Sequence, residues 1–245
     1  MALLEVCCGD IDSVRAAIKG GASRVELCSA LSEGGVTPSA ALICQAVATG
    51  ISVNVLIRPR GGDFLYSADE RHIMKEDIRR AADCGASGVV IGALRPDGFI
   101  DTDLCRRLVK AAGDISVTFH RAFDMCRDPE KGLEEVIGLG CHRILTSGGA
   151  ASATEGADTL RMLNQKAGKR IIILAGGGVN PDNAAGLIRS TGVKEIHASA
   201  RTRIGSLMEW RREGVAMGSP DSDEYSRMVT SPDMVADIIR QIKDL

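Results

Sequence analysis

The chain has 245 residues, 44% of them hydrophobic and 25% charged, with 30 basic against 32 acidic side chains and a formal net charge of -2. So neutral a balance, with only 3% aromatic residues, supplies neither a basic field for phosphates nor rings for base stacking, and nucleic acid is excluded as the expected partner. No apolar run reaches the roughly 18 residues of a membrane helix and the opening MALLEVCC carries no signal-peptide pattern, so a cytoplasmic protein with no membrane partner is expected.

Apolar, β-rich runs begin near Leu3, Arg24, Ser52, Gly88, Ile115, Arg143, Arg170 and Glu195, with helical stretches between them. Their spacing is close to the ~30 residues of a βαβ unit, and strand alternating with helix implies a parallel sheet. Eight such units in a chain of this length predict a single α/β domain over 1–245, a (β/α)8 TIM barrel. Thr37-Pro38, Asp128-Pro129, Asn180-Pro181 and Ser231-Pro232 each place proline after a capping residue, which predicts four helix N-termini. Leu104, Leu108 and Ala111, and likewise Val235, Ile238, Ile239 and Ile242, give helices one apolar face for the sheet. Residues 201–231 form a polar region before the last helix without a regular pattern, its most polar part being MGSPDSDEYS; it reads as a lid or as disorder. The eight cysteines contain no C-x-x-C pair, and a chain able to bury its own core needs no disulfide framework, so reduced thiols are expected. Cys44, Cys84, Cys105 and Cys141 fall in or beside helices and read as packing.

In a parallel barrel the chemistry gathers at the C-terminal ends of the strands. The first two strands both carry Glu-x-Cys (Glu5 and Cys7, Glu26 and Cys28), and a period of two puts each Glu on the face of its Cys. Facing inward, Cys7 and Cys28 would be two thiols on neighbouring strands. They read either as soft-metal ligands, with Cu(I) favoured because no His or carboxylate partner stands at ligand spacing, or as small buried hydrophobes. The third strand runs into Arg58-Pro59-Arg60-Gly61-Gly62-Asp63, whose two guanidiniums either bind an anion or brace the mouth, with Glu5 and Glu26 as internal partners. After the fifth strand, His120 reads either as a hydrogen-bonded core residue or, with Glu26, Arg58 and Asp124 at the same barrel end, as part of a proton-transfer set. His197 is a similar but weaker candidate. Gly177, Gly178, Ser199 and Arg201 follow the seventh and eighth strands, where barrels frequently hold phosphate; the glycines serve equally as tight turns.

The segments VELCSALSEGGVTPS, IRPRGGDFLYS, VTFHRAFDM, ILTSGG, AGGGV and DEYS, spread over nearly the whole chain, resemble the CutC family of copper homeostasis proteins. The resemblance implies a (β/α)8 barrel in the cytoplasm, a role in copper handling, and assembly as a homodimer or homotetramer. The Cu(I) ligands proposed for the family look like Cys7 and Cys28, and no organic cofactor is implied. Two functions follow. One is a cytoplasmic copper-handling protein with Cys7 and Cys28 as ligands. The other is a barrel enzyme, an isomerase, lyase or hydrolase, for a small anionic or phosphorylated metabolite, using Glu26, His120 and Asp124 with Arg58, Arg60, Gly177, Gly178, Ser199 and Arg201 as the anion site.

Overall fold

The computed structural model describes residues 2–215, 217 and 223–245. Strands β1 (Leu3–Cys8), β2 (Arg24–Leu27), β3 (Ser52–Leu56), β4 (Gly88–Ile91), β5 (Ser116–Phe119), β6 (Arg143–Thr146), β7 (Ile172–Gly176) and β8 (Glu195–Ala198) pair in parallel and in sequence order, and β8 closes on β1. Among the described residues eight α-helices cover them: α1 (Ile11–Gly20), α2 (Ala40–Val47), α3 (Ala68–Asp83), α4 (Thr102–Ala112), α5 (Pro129–Gly138), α6 (Ala157–Ala167), α7 (Ala184–Thr191) and α8 (Pro232–Ile242). This is the (β/α)8 TIM barrel expected from the alternation. Strands five and seven start at Ser116 and Ile172, one and two residues later than the apolar runs suggest.

Every second strand residue builds the main core, between barrel and helices: Leu4, Val6 and Cys8 of β1, Val25 and Leu27 of β2, Val53 and Val55 of β3. The alternate residues point into the barrel, where a parallel sheet covered by helices normally stacks branched apolar side chains. Here that interior is divided. Glu5, Arg24, Asn54 and Glu195 occupy part of it, and a small apolar cluster of Cys7, Cys28, Leu56 and Val90 another part.

Asp128 and Ser231 cap α5 and α8 with proline in the first turn, as the sequence predicts. The other two cap-proline pairs do not begin helices. Thr37 is tied to β3, its hydroxyl accepting from Arg58 N and its own N–H donating to Arg58 O, and α2 is instead capped by Ser39. Asn180 closes a turn onto Asp182 and Asn183, so α7 begins only at Ala184.

Two further expectations are corrected. The ends of the 201–231 region are not irregular: β9 (Arg201–Gly205) and β10 (Ser226–Thr230) form an antiparallel pair, held to α1 by Arg227 on Asp10 and Asp12. Of MGSPDSDEYS, residues 218–222 lie outside the described residues. The thiols are not all reduced, since Cys44 on α2 and Cys84 at the end of α3 form a disulfide with Cα atoms 5.0 Å apart. Adjacent positions around the barrel bring together two helices whose cysteines are far apart in sequence, a juxtaposition no cysteine spacing announces. Thiol titration of the denatured, unreduced chain should therefore return six reactive cysteines, rising to eight after reduction. Eight before reduction would show that the bond is absent.

Candidate functional site

The barrel interior is built on one buried carboxylate. Glu5 is wholly buried, and its Oε2 accepts from Arg24 Nε and from Asn54 Nδ2 at 3.1 Å, while Oε1 meets His197 Nδ1 at 2.9 Å. Arg24 also donates to Glu195 at 2.6 Å, and Arg143 reaches the same Glu195 oxygen at 2.8 Å. Charges so buried are tolerated only when paired and hydrogen-bonded, and this network supplies both conditions. Burial alone would raise the Glu5 pKa, but the His197 hydrogen bond and the Arg24 and His197 charges outweigh it and hold the carboxyl at about 2.

On the mouth side of this network stand the thiols. Cys7 faces Glu26 across the β1–β2 register, and its Sγ lies 3.5 Å from Glu26 Oε2 and 3.5 Å from Cys28 Sγ. Cys28 donates in turn to the Cys8 carbonyl at 3.5 Å. The sequence reading of a thiol pair without His or carboxylate beside it is thus corrected: Cys7 Sγ, a Glu26 oxygen and a His197 nitrogen lie within 4.8 Å of one another. His197 is the residue that sequence reasoning undervalued. A period of two on β8 puts it on the face of Glu195, and only barrel closure sets β8 beside β1.

The protonation states follow from the surroundings. The Cys7 thiol is raised well above its ordinary pKa by its contact with Cys28 and by burial. Glu26 is raised by burial, against the pull of His197. Burial opposes charge on His197, yet Glu26, Cys7 and Glu5 together raise its pKa well above the usual imidazole value. His120 goes the other way, lowered to about 3 by burial and by the Arg58 charge.

Above the thiols opens a cavity of about 360 Å³ at the C-terminal end of the strands, bordered by Cys7, Glu26, His197, Arg58, His120 and Asp124, with Leu56, Phe64 and Leu145 among its apolar walls. Cys7 reaches this cavity, whereas Cys28 lies wholly buried behind it. The remaining sequence candidates fall in varied places. Arg58 donates to the carbonyls of Glu33, Gly35 and Gly62, so it braces the mouth loops, and its partners are not Glu5 and Glu26. Arg60 turns outward to Glu70 and Asp63. Asp124 lines the cavity with its oxygens already engaged by Arg121, Thr146, Ser147 and Gly149. Gly177 sits beside the Arg121 guanidinium, Gly178 accepts from Asn180 and Asn183, and Ser199 is half-buried past the end of β8. Arg201 lines a different cleft, between Asp10 and the β9–β10 pair.

The family model described as CutC matches residues 2–202. The chain belongs to the CutC family. A CutC family protein of Chromobacterium violaceum is 49% identical over 234 residues, covering 95% of each chain, and one of Bacteroides thetaiotaomicron is 50% identical over 242, covering 98% of this chain and 97% of that one. The crystal structure of a Streptococcus agalactiae CutC, whose name proposes copper homeostasis, matches with a TM-score of 0.78 and 37% identity over 81% of this chain and 99% of that one. Phosphoribosylanthranilate isomerase of Thermotoga maritima, at 14% identity and a TM-score of 0.59 over the full length of both chains, shares the fold alone.

Two measurements test the electrostatics of this CutC site. Because the folded pKa of Glu5 is depressed, the stability it contributes is complete above about pH 4.5 and is lost as pH falls toward about 2, an acid limb on the order of 3 kcal/mol. Urea midpoints across that range should fall for the wild type and change much less for Glu5→Gln; identical slopes would remove Glu5 as the cause. In the metal-free protein, nitrogen chemical shifts should show His197 doubly protonated at pH 7 and His120 neutral down to pH 5. The reverse assignment would contradict the charge arrangement described.

Proposed function

We propose that the chain is a copper-handling protein that binds Cu(I) through the Cys7 and Cys28 thiolates, with Glu26 and His197 beside them. The observation that carries this reading is the contact of two buried thiols on adjacent strands, one of them opening to the mouth cavity. The donor chemistry fits: sulfur suits Cu(I), and His197, with Nδ1 held by Glu5, directs Nε2 toward the Glu26 and Cys7 side, the carboxylate–histidine arrangement that commonly supports metal ligands. The copper role in the name of the Streptococcus agalactiae relative supports it. A copper ion is the cargo of this site, and what the chain contributes is a buried place for it where water competes poorly. The cytoplasmic location and the homodimer or homotetramer belong to the same proposal.

Metal binding must strip the proton from the Cys7 thiol, whose pKa is raised, so affinity rises with pH. An anaerobic Cu(I) titration against a competing chelator should give one tight equivalent, with apparent affinity increasing about a hundredfold per pH unit if two protons leave. The Cys7→Ser/Cys28→Ser protein, with folding verified, should bind at least about a hundredfold more weakly, and Glu5→Gln roughly 10- to 100-fold more weakly through the reoriented His197. Equal weak binding by the wild type and the double variant would end the copper reading.

A further inference from the structure

His120 is held by Gly92 below and Phe64 beside it. A Cβ at Gly92 would stand 2.5 Å from the imidazole, and the Phe64 ring centroid lies 5.0 Å from that of His120. Its Nδ1 accepts the Ala122 backbone N–H at 3.1 Å, so in the neutral ring the proton must sit on Nε2. Nε2 is at the far end of the ring, on a residue 5% exposed that lines the mouth cavity, and it has no hydrogen-bond partner. A buried donor left unpaired costs about 1–3 kcal/mol, so the fold holds an N–H ready for an acceptor.

Arg58 supplies the second observation. Three of its four Nη hydrogens go to carbonyls, its Nε is buried without a partner, and among the described residues no carboxylate pairs with it. The guanidinium carbon lies 5.1 Å from the Phe64 ring centroid, so Arg58 and His120 flank the same ring. Arg121, by contrast, is neutralised by Asp124 at 2.7 Å. The cavity therefore presents an unpaired neutral donor beside one uncompensated positive charge, with apolar walls at Leu56, Phe64 and Leu145. One uncompensated positive charge beside an unpaired N–H suits a singly charged, planar anion better than a phosphate dianion. A volume of about 360 Å³ is at the small end of ligand pockets.

We propose that the mouth cavity is a binding site for a small organic carboxylate, which accepts a hydrogen bond from His120 Nε2–H beside the Arg58 guanidinium. Its two named groups are not the thiols, although Cys7 borders the same cavity, and no reaction is assigned to it.

The test uses the full metal-free chain, labelled at histidine nitrogen and titrated with acetate, pyruvate and inorganic phosphate. Saturable binding of acetate or pyruvate that shifts the His120 Nε2 resonance is expected, weakened about tenfold or more in His120→Asn, whose shorter amide can still accept from Ala122 but cannot present a donor at the Nε2 position. Should His120→Asn fold poorly, the wild-type Nε2 shift reads the same contact directly. The Cys28→Ser protein, altered behind the cavity and not in its wall, should bind the carboxylates as the wild type does while losing Cu(I), which separates this site from the copper reading. No saturable carboxylate binding, binding that leaves His120 unmoved, or binding of phosphate alone would overturn the proposal.

Discussion

An ionised carboxylate with no access to water sets the terms for the whole interior of this barrel. Glu5 can exist in that state only because Arg24, Asn54 and His197 surround it, and each is committed by doing so. Arg24 brings Glu195, and Glu195 brings Arg143, so strands β1, β2, β6 and β8 are linked by alternating charges where most such barrels stack aliphatic layers. Breaking a buried network at one member strands the others, at a cost of about 3–5 kcal/mol. The arrangement is thus expensive to alter at any single position.

The same carboxylate organises the mouth. By holding Nδ1 of His197, Glu5 fixes the ring with Nε2 toward Glu26 and Cys7. A histidine kept charged, a glutamic acid whose pKa is raised and a thiol whose pKa is raised then share one small volume, and their protons are mutually dependent. Any cation entering there displaces protons, and any proton change there is felt at Glu5. His120, across the cavity, belongs to a different regime: burial and Arg58 keep it neutral, which makes it a fixed donor over the physiological range.

Several charged residues that look functional in the sequence turn out to be occupied. Arg58 fastens the loops after β2 and β3 through three carbonyls, and Asp124 gathers the backbone and side chains of the turn after β6. These contacts shape the cavity that Cys7, Glu26, His120 and His197 share. Bracing does not remove the Arg58 charge from that cavity, because carbonyl oxygens satisfy its hydrogen bonds without neutralising it.

The barrel itself was legible in the sequence, because β-rich runs at regular spacing with amphipathic helices between them allow few other arrangements, and a period of two sorted the residues of each strand into two faces. That period also grouped Glu5 with Cys7 and Glu26 with Cys28, and the folded barrel turned those faces inward. What it could not state was which side chains pair across the closed barrel, so His197 on β8 and Glu5 on β1 became partners only in three dimensions. The Cys44–Cys84 bond has the same origin, since α2 and α3 become neighbours through the winding of the barrel. Thr37-Pro38 and Asn180-Pro181 missed as helix starts because long-range pairing with Arg58 and a local turn at Asn183 outcompeted the capping their sequence offers. Local periodicity is written in neighbouring residues, whereas hydrogen-bond partners separated by a hundred residues or more are chosen by the closed sheet.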